Sequence, residues 1–172
     1  MITPGWCRMM AAYNAEMNRR LYAAAARLPD ITRREARGVF FGCLHGTLSH
    51  LLWGDMQWVS RFDGGEKPPV SLKGSAAMEP DFVTLVGKRV AMDARIAAWA
   101  ESLTAERLAG DFTWFSGAAG REVSCPMGMV VTHVFNHQTH HRGQAHALIT
   151  AAGEDTGDTD LFLVLDPAAW AA

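Results

Sequence analysis

Apolar residues recur at the three- and four-residue steps of a helix in four separate stretches of this chain. The first follows Thr3-Pro4, a hydroxyl able to cap a helix with proline at its first position. Met10, Tyr13, Met17, Leu21 and Leu28 make its stripe, and Leu28-Pro29-Asp30 ends it. Thr32 with Glu35 reads as a capping box for a second helix reaching about Arg61. Phe40, Phe41, Leu44, Leu48, Leu51, Leu52 and Val59 form its apolar side. The third starts near Pro80-Asp81, carries Phe82, Leu85, Val86, Val90, Ile96, Trp99 and Leu103, and finishes by Gly110. Pro126 opens the fourth, which runs to Gly153 with Val130, Val131, Val134, Phe135, Leu148 and Ile149 facing the core.

Between these patterns, Asp63 to Pro80 has the glycines and prolines of a long surface loop, a kind that borders or covers binding sites. Asp111 to Cys125, with aromatic residues, Gly-Ala-Ala-Gly and Val123, predicts a short hairpin. After Glu154 the run LFLVL predicts a fifth short element or a strand-like cover. No repeat or low-complexity segment interrupts the order. The prediction is one all-α domain over residues 1–172, an up-down four-helix bundle, in which metal sites arise where facing helices look inward.

Composition narrows the partners. The chain has 172 residues, 49% of them hydrophobic and 20% charged, and a net charge of −2. Phosphate binding needs a concentrated basic surface, so nucleic acid is not expected as a partner. No apolar run approaches the roughly 20 residues that span a bilayer. The segment MITPGWCRMM has no basic leader and no cleavage signal, so a cytoplasmic location is expected by default. Cys7, Cys43 and Cys125 are odd in number and far apart, which suggests free thiols rather than a disulfide framework or zinc ribbon.

The chemistry concentrates in HVFNHQTHHRGQ, residues His133 to Gln144. His133, His137 and His141 recur every four residues, and four residues on a helix is about 40° of rotation. Neighbouring imidazoles therefore stand one above the other and can close on one divalent ion. A further ligand must come from elsewhere in the chain. No Glu-x-x-His pair points to a ferritin-like di-iron site, and no His-Glu-x-x-His to a zincin. The second helix offers His45 and His50, five residues and about 140° apart, so both cannot aim at one point. Phase leans towards His45, nearer the Leu44–Leu48–Leu51 side, without deciding the matter. His140 and His146 are expected to face solvent. Trp53 and Trp58 are candidates for a pocket mouth.

Tyr13-Asn14, HGTLSHLLWGD at His45–Asp55 and HVFNHQTHHRGQ at His133–Gln144 resemble the DinB-like family of metal-binding four-helix bundles. That family is related to bacterial low-molecular-weight-thiol transferases, and its DNA-damage-inducible origin implies a stress-response setting. With matching element order, the resemblance covers essentially the whole chain. It implies His50, His137 and His141 as metal ligands, with Asp55 in the position of the family's acid. His45, His133 and Arg142 are then residues that orient a ligand or meet a bound molecule. Arg142 has two further readings, a clasp for a substrate carboxylate or an inter-helix ion pair, and Gly143 one, close approach of a neighbouring helix.

Three imidazoles leave a coordination position open, the arrangement of catalytic rather than structural sites, and suit zinc and nickel alike. The resemblance implies a transferase that activates a small, glutathione-like thiol for attack on an electrophile. The alternatives are a hydrolase using metal-bound hydroxide and a non-catalytic metal- or ligand-binding dimer. A homodimer is expected from the resemblance alone.

Overall fold

The computed structural model describes residues 2–117 and 119–170. Its first helix, α1, spans Pro4–Arg27, and Thr3 caps it by accepting a hydrogen bond from the Trp6 amide at 3.1 Å. Cys7, Ala11, Met17, Leu21 and Ala25 are buried along one face. Leu28, in extended conformation, ends it.

The second pattern resolves differently from the single helix expected. A five-residue helix, α2, covers Asp30–Arg34 and stops at Glu35, which lies past its end and closes no capping box. A loop follows, in which Gly38 and Gly42 take left-handed φ values of 69° and 80°. Such angles interrupt a right-handed helix and suit glycine. The main helix, α3, begins only at Leu44 and runs to Asp63, with the Cys43 sulfur accepting from the Gly46 amide. Phe40 and Phe41 therefore sit in the loop, not on a helix face, and Phe40 is 85% exposed.

The long loop after α3 contains a 3₁₀ turn, Leu72–Ala77, packed on α3. The third long helix, α4, spans Phe82–Glu101, with Asp81 accepting from the Thr84 amide at 2.7 Å. It ends earlier than the pattern suggests, because a separate helix, α5 at Ala105–Ala109, starts from a new cap at Thr104. Val90, expected in the core, is 65% exposed. Strands β1 (Asp111–Ser116) and β2 (Arg121–Pro126) form the hairpin, antiparallel with Asp111 opposite Pro126. It leads directly into α6, Met127–Ala151. The tail carries a single helical turn, α7 at Leu161–Val164, and a 3₁₀ turn at Pro167–Trp170.

The four long helices close a ring of contacts: α1 packs against α4 and α6, and α3 packs against the same two. Leu21, Leu48, Leu51, Leu52, Leu85, Ile96, Val131 and Ile149 fill the interior. Among the described residues, no helix is long and apolar enough to cross a membrane.

Candidate metal centre

α3 and α6 each turn imidazoles towards the other. His50, His137 and His141 offer one nitrogen apiece, and the three nitrogens lie within 4.8 Å of one another. His50 Nε2 and His137 Nε2 are 3.4 Å apart. A tetrahedral ion with metal–nitrogen bonds of about 2.0–2.1 Å sets its ligand nitrogens roughly 3.3–3.4 Å apart, so this pair already has the required spacing. His133, one turn earlier on α6, is exposed and 6.0 Å from His137 between ring centres. It stands outside the cluster.

Two of the rings are held from behind. His50 Nδ1 lies 2.9 Å from Ser75 Oγ on the 3₁₀ turn. His141 Nδ1 lies 2.8 Å from Gln144 Oε1, one turn further along α6. With each Nδ1–H donating, each Nε2 keeps its lone pair for an ion. Burial, followed by the neighbouring imidazoles, pushes His50 down to about 3 and His137 down to about 4. His141 is lowered too, mainly by burial. All three are neutral at pH 7 and ready to ligate. Borderline nitrogen donors, uncharged and two of the three on buried rings, fit a divalent ion such as zinc or nickel.

The surroundings are aromatic. Phe41 stacks on His50 with ring centres 3.7 Å apart and meets His141 edge-on at 5.3 Å. Trp53 stacks on His50 at 5.7 Å and donates its indole N–H to the Val70 carbonyl at 2.8 Å. Trp53 thus borders the triad, whereas Trp58 packs on His133 and Trp114. Close approach of α3 to α6 depends on Gly54, where a Cβ would meet His137 Cε1 at 2.8 Å.

His45, favoured by helical phase, points elsewhere: its Nε2 lies 2.7 Å from the Glu79 carbonyl, and the ring holds the loop that leads to α4. Asp55 is 1% exposed and faces the interior between the long helices. It pairs with Arg89 of α4 and accepts from Gln138 of α6. Arg89 also reaches Asp93 at 2.8 Å, and Asp93 accepts from Asn18 at 2.8 Å and Asn14 at 3.4 Å. Arg142 closes the circuit by donating to Asn14 and Gln138. Asp55, Asp93, Arg89 and Arg142 carry balancing charges, so the ring satisfies the rule that buried ions are paired or hydrogen-bonded. It ties all four long helices together, and three of its members adjoin Gly54, His137 and His141 in sequence.

Of the remaining sequence expectations, His140 is exposed, but His146 is half-buried and lies 2.6 Å from Thr156 Oγ1. Gly143 admits no neighbouring helix, since a Cβ there would meet nothing within 4 Å. Sequence reasoning missed Ser75, Gly54, Arg89 and Asp93, and placed Phe41 on the wrong element. The long loop did signal a site border, and Ser75 lies within it.

A helical scaffold with a converging histidine triad defines the class. The DinB family model matches residues 1–172, and the chain belongs to that family. No curated protein and no solved structure matches it.

Proposed function

We propose that this chain holds one divalent ion, zinc or nickel, between His50, His137 and His141 on an up-down four-helix bundle. The ion would activate a small thiol of the glutathione kind for attack on an electrophile. The observation that supports this reading is the convergence of three neutral imidazole nitrogens, two of them fixed through their far nitrogens. A bound divalent ion supplies Lewis acidity, which favours thiolate over thiol at neutral pH.

The protein's own residues do the rest. Ser75 and Gln144 fix ring orientation, and Phe41 and Trp53 exclude water beside His50. Three protein nitrogens are one fewer than a closed structural zinc site uses, which leaves room for substrate. Two candidate bases are committed elsewhere, Asp55 to Arg89 and His45 to the Glu79 carbonyl. That favours the thiol reading, in which a thiol held on the ion would be acidic enough to lose its proton to solvent water, over the hydrolase. We further infer a cytoplasmic homodimer, to be checked by sedimentation.

The deciding experiment uses untagged protein with its metal identified, then exchanged for nickel or cobalt. Added glutathione is expected to produce a thiolate-to-metal charge-transfer band in the ultraviolet. No band with any of several thiols, alongside thiol-independent cleavage of model esters, would replace this reading with the hydrolase.

A further inference from the structure

The triad lies between α3 and α6; a second groove lies between α1 and α6. Tyr13, Met17 and Leu21 line it from α1, Thr139, Arg142 and His146 from α6, and Thr159 from the tail. The tail is pinned there by Tyr13, whose hydroxyl donates to the Thr159 carbonyl at 2.5 Å, and by Arg20, which donates to the Asp158 carbonyl at 3.3 Å.

Arg142 is unusual within this groove. It is 5% exposed, yet among the described residues it forms no ion pair. Its partners are the amide oxygens of Asn14 and Gln138, both taken by Nη1, and the Thr139 hydroxyl at 3.3 Å from Nη2. A guanidinium has five N–H donors. Nη1 serves two acceptors and Nη2 one, so among the described residues Nε–H and one Nη2–H have no acceptor, and Nε and Nη2 share one edge of the fork. Elsewhere in this chain that edge clasps carboxylates: Arg19 holds Glu16, and Arg95 holds Asp63, each through Nε and Nη2 at 2.7 Å.

We infer that the α1–α6 groove binds a small monocarboxylate, its two oxygens on the Nε and Nη2 edge of Arg142 and its apolar end towards the partly exposed Tyr13 ring, which lies 5.7 Å from the guanidinium carbon. Paired N–H···O bonds to a carboxylate are the strong form of this recognition. The exposed Asp158 and Asp160, on either side of Thr159, disfavour a multiply charged ligand. This site is independent of the metal reading.

The test titrates butyrate into the full-length, nitrogen-15-labelled chain after chelation of metal, and follows the Arg142 Nε–H and the amides of Tyr13, Thr139 and Gly143. Saturable shifts are expected at these positions with butyrate and none with butyramide, its neutral counterpart. Gly143→Asp brings a carboxylate to the groove wall at a position with free space for a side chain. It is expected to weaken binding about tenfold, the effect of roughly 1.4 kcal/mol. Arg142→Lys keeps the charge and loses the fork, and should weaken binding similarly. If that variant fails to fold, Gly143→Asp alone decides. Equal shifts with butyramide, shifts confined to His50, His137 and His141, or unchanged affinity in Gly143→Asp would each overturn the inference.

Discussion

Gly54 of α3 lies against the His137 ring of α6, and the space between them is too small for a methyl group: an added Cβ would come to 2.8 Å from Cε1. The ring is a rigid neighbour, so it must turn or the helices must part. Gly54→Ala is expected to lower metal occupancy while leaving the metal-free fold close to its original stability. Alanine's better helix propensity, about 1 kcal/mol, offsets part of the crowding. Metal stoichiometry and the thermal midpoint of the stripped protein check this; full occupancy would show that His137 has another rotamer from which to ligate.

His137→Ala is expected to abolish stoichiometric binding and to destabilise the scaffold by no more than about 1–2 kcal/mol, because the ring is only half-buried and the core leucines are untouched. His50→Ala should do the same to the metal. His45→Ala should keep the metal and loosen the loop anchored at the Glu79 carbonyl. Metal loss in the His45 variant alone would refute the triad.

Arg89 balances two buried carboxylates, Asp55 and Asp93. Replacing it with methionine leaves both without their cation, an expected loss of about 3–5 kcal/mol. Urea unfolding of the metal-free variant measures it. A change under about 1 kcal/mol would mean that the ring tolerates protonated acids.

The pH response of the metal-free protein follows from two opposed signs. His50 and His137, at about 3 and about 4 against 6.5 unfolded, contribute stability above pH 6.5 that is lost as pH falls through their folded values. Asp93, which burial pushes up to about 6 from 3.8, contributes stability below 3.8 that is lost as pH rises through 6. Two histidines outweigh one acid, so the urea midpoint should drop between pH 7 and pH 5. Asp93→Asn should steepen the drop by removing the opposing group. A midpoint that rises on acidification would contradict the neutral state of the imidazoles.

How much of this was legible in the sequence depends on how local each cause is. The start of α1 and the start of α4 follow from caps and apolar steps within a few residues, and both are where those signals put them. The start of α3 was misread because Phe40 and Phe41 continue the apolar spacing, while the angles at Gly38 and Gly42 that break the helix leave no periodic trace. Helical phase leaned to His45 because it reports a core-facing side, not which neighbouring helix a side chain meets. The resemblance pointed instead to His50, the residue that lies beside His137. Asp55 looked like a partner of the site because it follows His50 in the motif. Its true partner, Arg89, is 34 positions away on α4, beyond the reach of any local pattern.

Because Gln138 and Arg142 neighbour His137 and His141 along α6, sliding that helix by one turn would scatter the nitrogens and split the interior ions together. Folding free energy, rather than metal affinity, therefore keeps the imidazoles assembled. An arriving ion would meet a ready-made seat and would spend little of its binding energy on ordering the protein. The same coupling would let one ion be exchanged for another of similar size without the architecture being rebuilt each time.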